Sequence, residues 1–542
     1  MPGFLGLKDV FVVIAVSGIT TLNIFLSGAL TVALPTLGKD LDFKQASHRA
    51  DLQWPINVYS LSYGCMLLFF GRVGDIVGGR IMFLLGSAWF AAWQCFPFLS
   101  NYSYRSLGAA FAPNEETFII FIALQGLGAA ANTPSGIGLF VAHFPPGPSR
   151  NKAFGVLGAG QPIGFILGLV LGGFIVQSRA TWRGIFYVQA ALGSLFVLLG
   201  WFVISKDESH RRYTKGLDWG GALLSTVGIG LLTFSLADSA SAPHGWASPH
   251  IIATLCASVA ILLVFWYYER WREQKDFSVL MPPSMWSQPG ARMTPVIMMV
   301  FFAWWSFNTL IYFSTLYYQQ VLLLGPLATS IRFIPMVISG ICTNVIGGWL
   351  MNRVPGQPLM VSGLIGNVVA PIIFALIDIH VSYWVMSFWV MILVVGADVV
   401  YPVGTLQISS AFDEKSQSLA GGIFNVATRL GTSLGIAITS AIATSVSQKY
   451  STHHPPLSST SPEALMIGFR AAGWTLFGAA IISITIGLLG LRGIGIVGRK
   501  READSSDDVT LHNEPEKEDK MKEEQEDIAS VAVISPVPEI SS

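Results

Sequence analysis

Apolar runs of about 20 residues recur along this chain, and no other feature limits its fold so strongly. Each is long enough to cross a hydrocarbon layer roughly 30 Å thick as a helix. Fourteen such runs can be placed, from 12–35 near the start to 465–491 near the end. Lipid offers no partners for backbone polar groups, which leaves helices or a closed barrel. The alternation of barrel strands is missing from the runs, so an all-α integral membrane fold is expected. Only 12% of the residues are charged, against about 25% in soluble chains. The first run exceeds the apolar core of a cleavable signal and reads as a retained span.

The charges between the runs set an orientation. Lys and Arg gather in GRVGDIVGGR, SRNK, SKDESHRRYTKG and ERWREQK, which share one side of the membrane. About fifteen basic residues fall on that side and about seven on the other. Both termini are therefore expected in the cytoplasm. The tail opens with RKRE and turns acidic and Ser-rich, a composition expected to be disordered. The sequon Asn101-Tyr102-Ser103 falls on the outer side, close to a span end.

The chain also echoes itself. GRVGDIVGGR follows the second run, and GWLMNRVPGQ takes the matching place after the tenth. In the first, Gly71 and Gly78 permit a tight turn, Asp75 can cap a neighbouring helix N-terminus, and Arg80 closes the loop. Transporters are often built from repeated halves that hold substrate near the midplane. The expected organisation is a six-helix bundle over 1–204 and a linker with two additional membrane helices over 205–292. A second six-helix bundle over 293–492 and a tail over 493–542 complete it.

Several function classes are excluded. Cys65, Cys95, Cys256 and Cys342 lie in apolar runs without ligand spacing, so they read as small buried hydrophobes and no metal is expected. There is no phosphate-binding G-x-x-x-x-G-K-[ST] loop, no nucleophile elbow and no paired-carboxylate site. No enzyme activity, cofactor or nucleic-acid partner is expected, and a monomer in the bilayer suffices.

Polar residues inside the runs are the candidate working parts. Asp at a helix centre disfavours insertion by about 2.5–3.5 kcal/mol, while each large apolar residue contributes about −0.3 to −0.6 kcal/mol. The run holding VVGADVVYPVG inserts Asp398 with little surplus. Ser387, Asp398, Tyr401 and Thr405 share one helical face, which should turn inward. In the next run, GGIFNVATRLGTSLG sets Asn425, Arg429, Thr432 and Ser433 on one side. Asp398 and Arg429 are expected within reach of one another or of shared water. Two readings stay open: a static ion pair between helices, or a protonatable, substrate-sensitive pair. A proton carrier must part from the arginine during its cycle, because an adjacent guanidinium favours the charged carboxylate.

Other stripes point the same way. Trp305, Asn308, Tyr312, Thr315 and Gln319 recur at intervals of three or four, as do Gln125 and Asn132 in the fourth run and Asn23, Ser27 and Thr31 in the first. They suit a cavity for a medium-sized, partly apolar molecule, or they are packing contacts. In the fifth run, Gly158, Gly160, Pro162, Gly164, Gly168 and Gly172 offer close helix approach and a bend at the proline.

GRVGDIVGGR resembles the signature G-x-L-A-D-R-x-G-R-K of the major facilitator superfamily. Gly71, Asp75, Gly78 and Arg80 match, while Ile76 and Gly79 stand where basic residues are usual. The resemblance implies two six-helix bundles, with this loop latching one to the other in one access state. ALPTLGKDL, QWPINVYSLSYG, TWRGIFYVQ and LDWGGALL are similar to the fourteen-helix drug:proton antiporter branch. LQGLGAAANTPSGIGLFVAHFPPGPSRNKAFGVLGAGQPIGFILG resembles its fungal aminotriazole-resistance and boron-efflux members, which share the Gly396, Asp398, Pro402 spacing. The likeness covers nearly the whole chain except the tail. Leu26 stands where the wider branch has an acid in the first span, and Ile122 where it has an arginine in the fourth. Coupling in this chain is therefore absent or placed elsewhere.

The resemblance implies a secondary active transporter that works by alternating access. The activity expected is proton-coupled efflux of a small organic compound, a toxin, drug or secondary metabolite. The partners are that substrate, protons and the bilayer, with the plasma membrane favoured over the vacuole. The alternative is a passive or uptake facilitator for a small polar solute.

Overall fold

A computed structural model of the chain describes residues 6–41, 54–94, 109, 112, 114–205, 216–239, 242, 245–287, 292–412, 416–454, 458–459, 461–492 and 494–496. The sequon at Asn101 and nearly all of the expected tail lie outside the described residues. Most of those described are helical, with no strand among them.

Among the described residues, thirteen helices are long and apolar enough to cross a membrane. In chain order the helices are α1 (Leu7–Asp40), α2 (Trp54–Val77), α3 (Gly79–Ala92), α4 (Glu115–His143), α5 (Pro148–Gln177), α6 (Arg183–Val203) and α7 (Trp219–Asp238). There follow α8 (Pro249–Gln274), α9 (Met293–Val321), α10 (Ala328–Leu350), α11 (Gly356–Ala375), α12 (Ser387–Ser409), α13 (Gln417–His453) and α14 (Pro462–Gly490). The fourteenth expected span is α3, an apolar helix of 14 residues that ends at Ala92 with Trp93 as its C-cap.

The repeat heard in the sequence is a repeat of packing. In the first half α1 packs on α5, α2 on α4 and α3 on α6. Eight helices further on, α9 packs on α13, α10 on α12 and α11 on α14. The halves meet through α2 against α13 and α5 against α10, contacts that the same shift interchanges. The α1–α5 crossing is close because Gly28 and Gly168 leave room for it. A Cβ on Gly28 would overlap the Phe165 carbonyl, and one on Gly168 the Phe25 carbonyl. Small residues let membrane helices approach until backbones touch.

Helices α7 and α8 form a hairpin against α2. Asp218 caps α7 by accepting from the Gly221 amide at 2.9 Å, and its other oxygen meets Arg272 of α8 at 3.2 Å. The Asp218 side chain is 1% exposed, and without it Arg272 keeps its bonds to the Ser278 carbonyl, the Ser278 hydroxyl and the Tyr268 hydroxyl. We expect Asp218→Ala to destabilise the hairpin by about 2 kcal/mol, through the loss of a helix cap and of one charge-assisted contact. A lower melting temperature of the purified protein in detergent would register this, and an unchanged one would contradict it.

The cysteine expectation needs correction. Cys256 on α8 and Cys342 on α10 are exposed, and Cys65 is half-buried. Cys256 and Cys342 sit on faces that turn away from the bundle, where lipid accepts a small apolar thiol as readily as a protein core does, while Cys65 lies beside Gly230 of α7. Cys95 lies outside the described residues.

Candidate functional site

Between the halves lies a cavity of about 150 Å³, walled by α1, α2, α4, α5, α9, α10, α12 and α13. Asp398, Tyr401, Asn425, Arg429, Asn308 and Pro162 all reach it. Asp398 and Arg429 are the charged residues among those lining it. The two positions at which the wider branch carries charge, Leu26 and Ile122, are fully buried apolar contacts instead.

The local fold of α12 aims its acid. The helix tightens into one 3-10 turn over Val394–Gly396 and resumes at Ala397, so Asp398 stands in the first turn of the second segment. Its Oδ2 is sealed without a hydrogen-bond partner, while the residue as a whole is 5% exposed. A Cβ on Gly340 of α10 would stand 3.0 Å from Pro162 of α5 and 3.2 Å from that oxygen. The carboxyl thus sits on the seam where α5, α10 and α12 converge.

Asp398 and Arg429 share the cavity but form no ion pair, which corrects the static-pair reading for this conformation. Arg429 lies against the other half instead: its guanidinium carbon is 4.5 Å from the centre of the Tyr63 ring. The Tyr401 hydroxyl donates to Asn425 Oδ1 at 3.2 Å, and Asn425 donates back to the Gly421 carbonyl at 2.9 Å. The Tyr401 ring packs between Trp304 and Phe424.

Five expected lining residues stand off the wall. Trp305 bonds Thr439 of α13 at 3.3 Å, Tyr312 is half-buried, and Gln319 is exposed at the π-helical end of α9. The cavity face of α9 is Trp304, Phe307, Asn308 and Ile311, one position round from the polar stripe. Two residues of that stripe instead reach α13, Trp305 at Thr439 and Asn308 at Thr432, while Thr315 donates to the Ile311 carbonyl of its own helix. Gln125 donates to the Trp93 carbonyl at 3.2 Å, joining α4 to α3. Asn132 accepts from Asn23 Nδ2 at 2.9 Å, and it is Asn23 that lines the cavity. Tyr63, Trp304 and Gln161 were not singled out from the sequence. Only the neighbour across the seam marks them.

The loop between α2 and α3 closes one end of the seam. Gly78 takes φ 115°, a conformation favouring glycine, and turns the chain there. Both Asp75 oxygens accept from the first amides of α13, Ser418 and Leu419, each at 3.0 Å. A Cβ on Gly71 would stand 3.1 Å from the Ser418 carbonyl. Arg80 turns the other way, donating to the Trp201 carbonyl at 2.8 Å. At the same end Asn151 of α5 donates to Asn352 at 2.9 Å. Gly160 and Gly164 pack on Thr21 of α1, and α5 runs as one helix through Pro162.

Comparison with known proteins places this arrangement. Residues 16–436 match the Major Facilitator Superfamily. The chain is 31% identical to "MFS-type transporter 1" of Pyricularia oryzae, over 92% of this chain and 86% of that one. It is 28% identical to the "Low affinity ammonium transporter" of Saccharomyces cerevisiae, covering 74% and 75%. It is 26% identical to "Efflux pump terJ" of Aspergillus terreus, covering 76% and 77%.

Proposed function

The chain belongs to the Major Facilitator Superfamily, and from that premise we propose that this multi-pass membrane transporter exports a small organic compound in exchange for protons. The observation that carries the proposal is the unpaired Asp398 in the central cavity. A carboxyl inside a membrane protein is costly and marks an ion or substrate path by default. This one stands where the two halves meet, with one oxygen sealed and without a donor. A sealed, unbonded oxygen suits a neutral carboxyl, because burying an uncompensated charge costs several kcal/mol. Opening the seam would wet the group and let it release its proton. Proton occupancy and access state are thereby linked at a single side chain.

Direction rests on kinship rather than geometry. Relatives of this chain include an efflux pump, and its sequence motifs resemble the drug:proton antiporters. Uptake or passive passage of a small polar solute is the second reading. The ammonium-transporting relative favours it, and so does a cavity smaller than the roughly 300–1,000 Å³ of drug-sized sites. Cytoplasmic termini, the plasma membrane, the domain limits read from the sequence and a monomeric state complete the proposal.

The test begins with a host lacking its own exporters, screened for compounds to which this protein gives resistance. A compound so found is then offered to proteoliposomes containing the purified protein and a pH-sensitive dye. Antiport predicts that adding the compound to acid-loaded vesicles makes their lumen less acidic. Entry with no movement of protons would favour the facilitator.

A further inference from the structure

We propose that the central cavity takes a small organic anion, its carboxylate held by Arg429 and its apolar body by the surrounding aromatic rings. This rests on the reading of that cavity as the transport site.

The argument starts from what Arg429 does not do. An arginine at membrane depth ordinarily pairs with an acid or with backbone carbonyls. Among the described residues Arg429 donates no hydrogen bond and has no carboxylate within ion-pair distance, although Asp398 lines the same cavity. Nor are its nitrogens sealed away. The Tyr63 ring supports the guanidinium at 4.5 Å. An arginine braced on a ring keeps N–H donors free, and its planar fork fits a carboxylate bidentately.

The acid in the cavity is less available. Asp398 keeps Oδ2 against the Gly340–Pro162 contact, leaving one oxygen to meet a ligand. A cationic ligand would meet that single oxygen and the repulsion of Arg429 together. With Asp398 neutral, the cavity carries one positive charge, which a monoanion balances. Trp304 and Tyr401 supply apolar wall, and Gln161, which makes no hydrogen bond among the described residues, supplies an amide. The volume of about 150 Å³ limits the guest to a small molecule.

Matched acids and amines test the idea. Acetate, sorbate and benzoate, with ethylamine and benzylamine as controls, would be titrated calorimetrically into the purified full-length protein. A carboxylate should bind wild type and bind Arg429→Gln about ten- to a hundredfold more weakly, the range for a lost charge-assisted contact. Should Arg429→Gln fail to fold, Arg429→Lys keeps the charge but loses the fork, and should bind several-fold more weakly. The idea is overturned if no carboxylate binds at millimolar concentration, or if carboxylate affinity is unchanged by the substitution made. An amine that binds through Asp398 would overturn the anion class and leave proton-coupled transport standing. Carboxylate binding without pH-driven flux would strike the transport reading alone.

Discussion

Asp398→Asn should abolish accumulation driven by a pH gradient while leaving exchange of substrate for substrate intact. The amide nearly matches the carboxyl in shape, so the packing against Gly340 and Pro162 survives. What it cannot do is take up or release a proton. A gradient of one pH unit is worth about 1.4 kcal/mol per proton moved, which sustains roughly tenfold accumulation at one proton per substrate. For an antiporter the sign is fixed: protons leaving acid-loaded vesicles drive substrate inward. Wild-type vesicles at pH 6 inside and pH 7 outside should therefore concentrate substrate about tenfold. Asp398→Asn vesicles should only equilibrate it, and counterflow should persist because that cycle needs no net proton. Full gradient-driven accumulation in the variant would remove Asp398 as the carrier. Accumulation under the opposite gradient would turn the antiporter into a symporter.

How far the sequence could be read follows from the physics of its surroundings. Lipid enforces about 20 apolar residues per crossing, so the helices and their order were legible from composition alone. The exception is instructive: α3 ends at Ala92 after 14 residues, with Trp93 as its C-cap, although the apolar run continues past it. Asp398 and Arg429 were legible because charge in a membrane span is costly and therefore rare. Their relation was not, since either could turn to a partner on another helix. Arg429 turned to Tyr63, an aromatic residue that no polarity argument would select. The α9 stripe shows a related limit. Helical spacing groups Trp305, Asn308, Tyr312 and Gln319 on one side, but it cannot say whether that side meets a cavity or another helix. Only Asn308 sits at the edge between the two, bonding Thr432 at 3.0 Å and lining the cavity as well.

Asp75→Ala should release the end of the seam that its loop now holds shut. The carboxylate accepts two amides at the start of α13, where the helix dipole adds to the attraction. Charge-assisted bonds contribute about 1.5–3 kcal/mol each. Water would recover part of that when the latch opens, so a net shift of about 2–3 kcal/mol is expected, or roughly thirty- to a hundred-and-fifty-fold in the access equilibrium. The remaining contacts there are weaker: Asn151 to Asn352 is a single neutral bond, and Gly71 on Ser418 is contact only. Spin labels on Val77→Cys and Arg353→Cys, in a background without the native thiols, should report a longer distance population once Asp75 is lost. Transport should slow as well, because a carrier that seldom closes one end seldom completes a cycle. Asp75→Asn should fall between, since an amide offers one acceptor oxygen where the carboxylate offers two. An unchanged distance distribution in Asp75→Ala would mean that glycine packing, rather than the charged cap, holds the halves together.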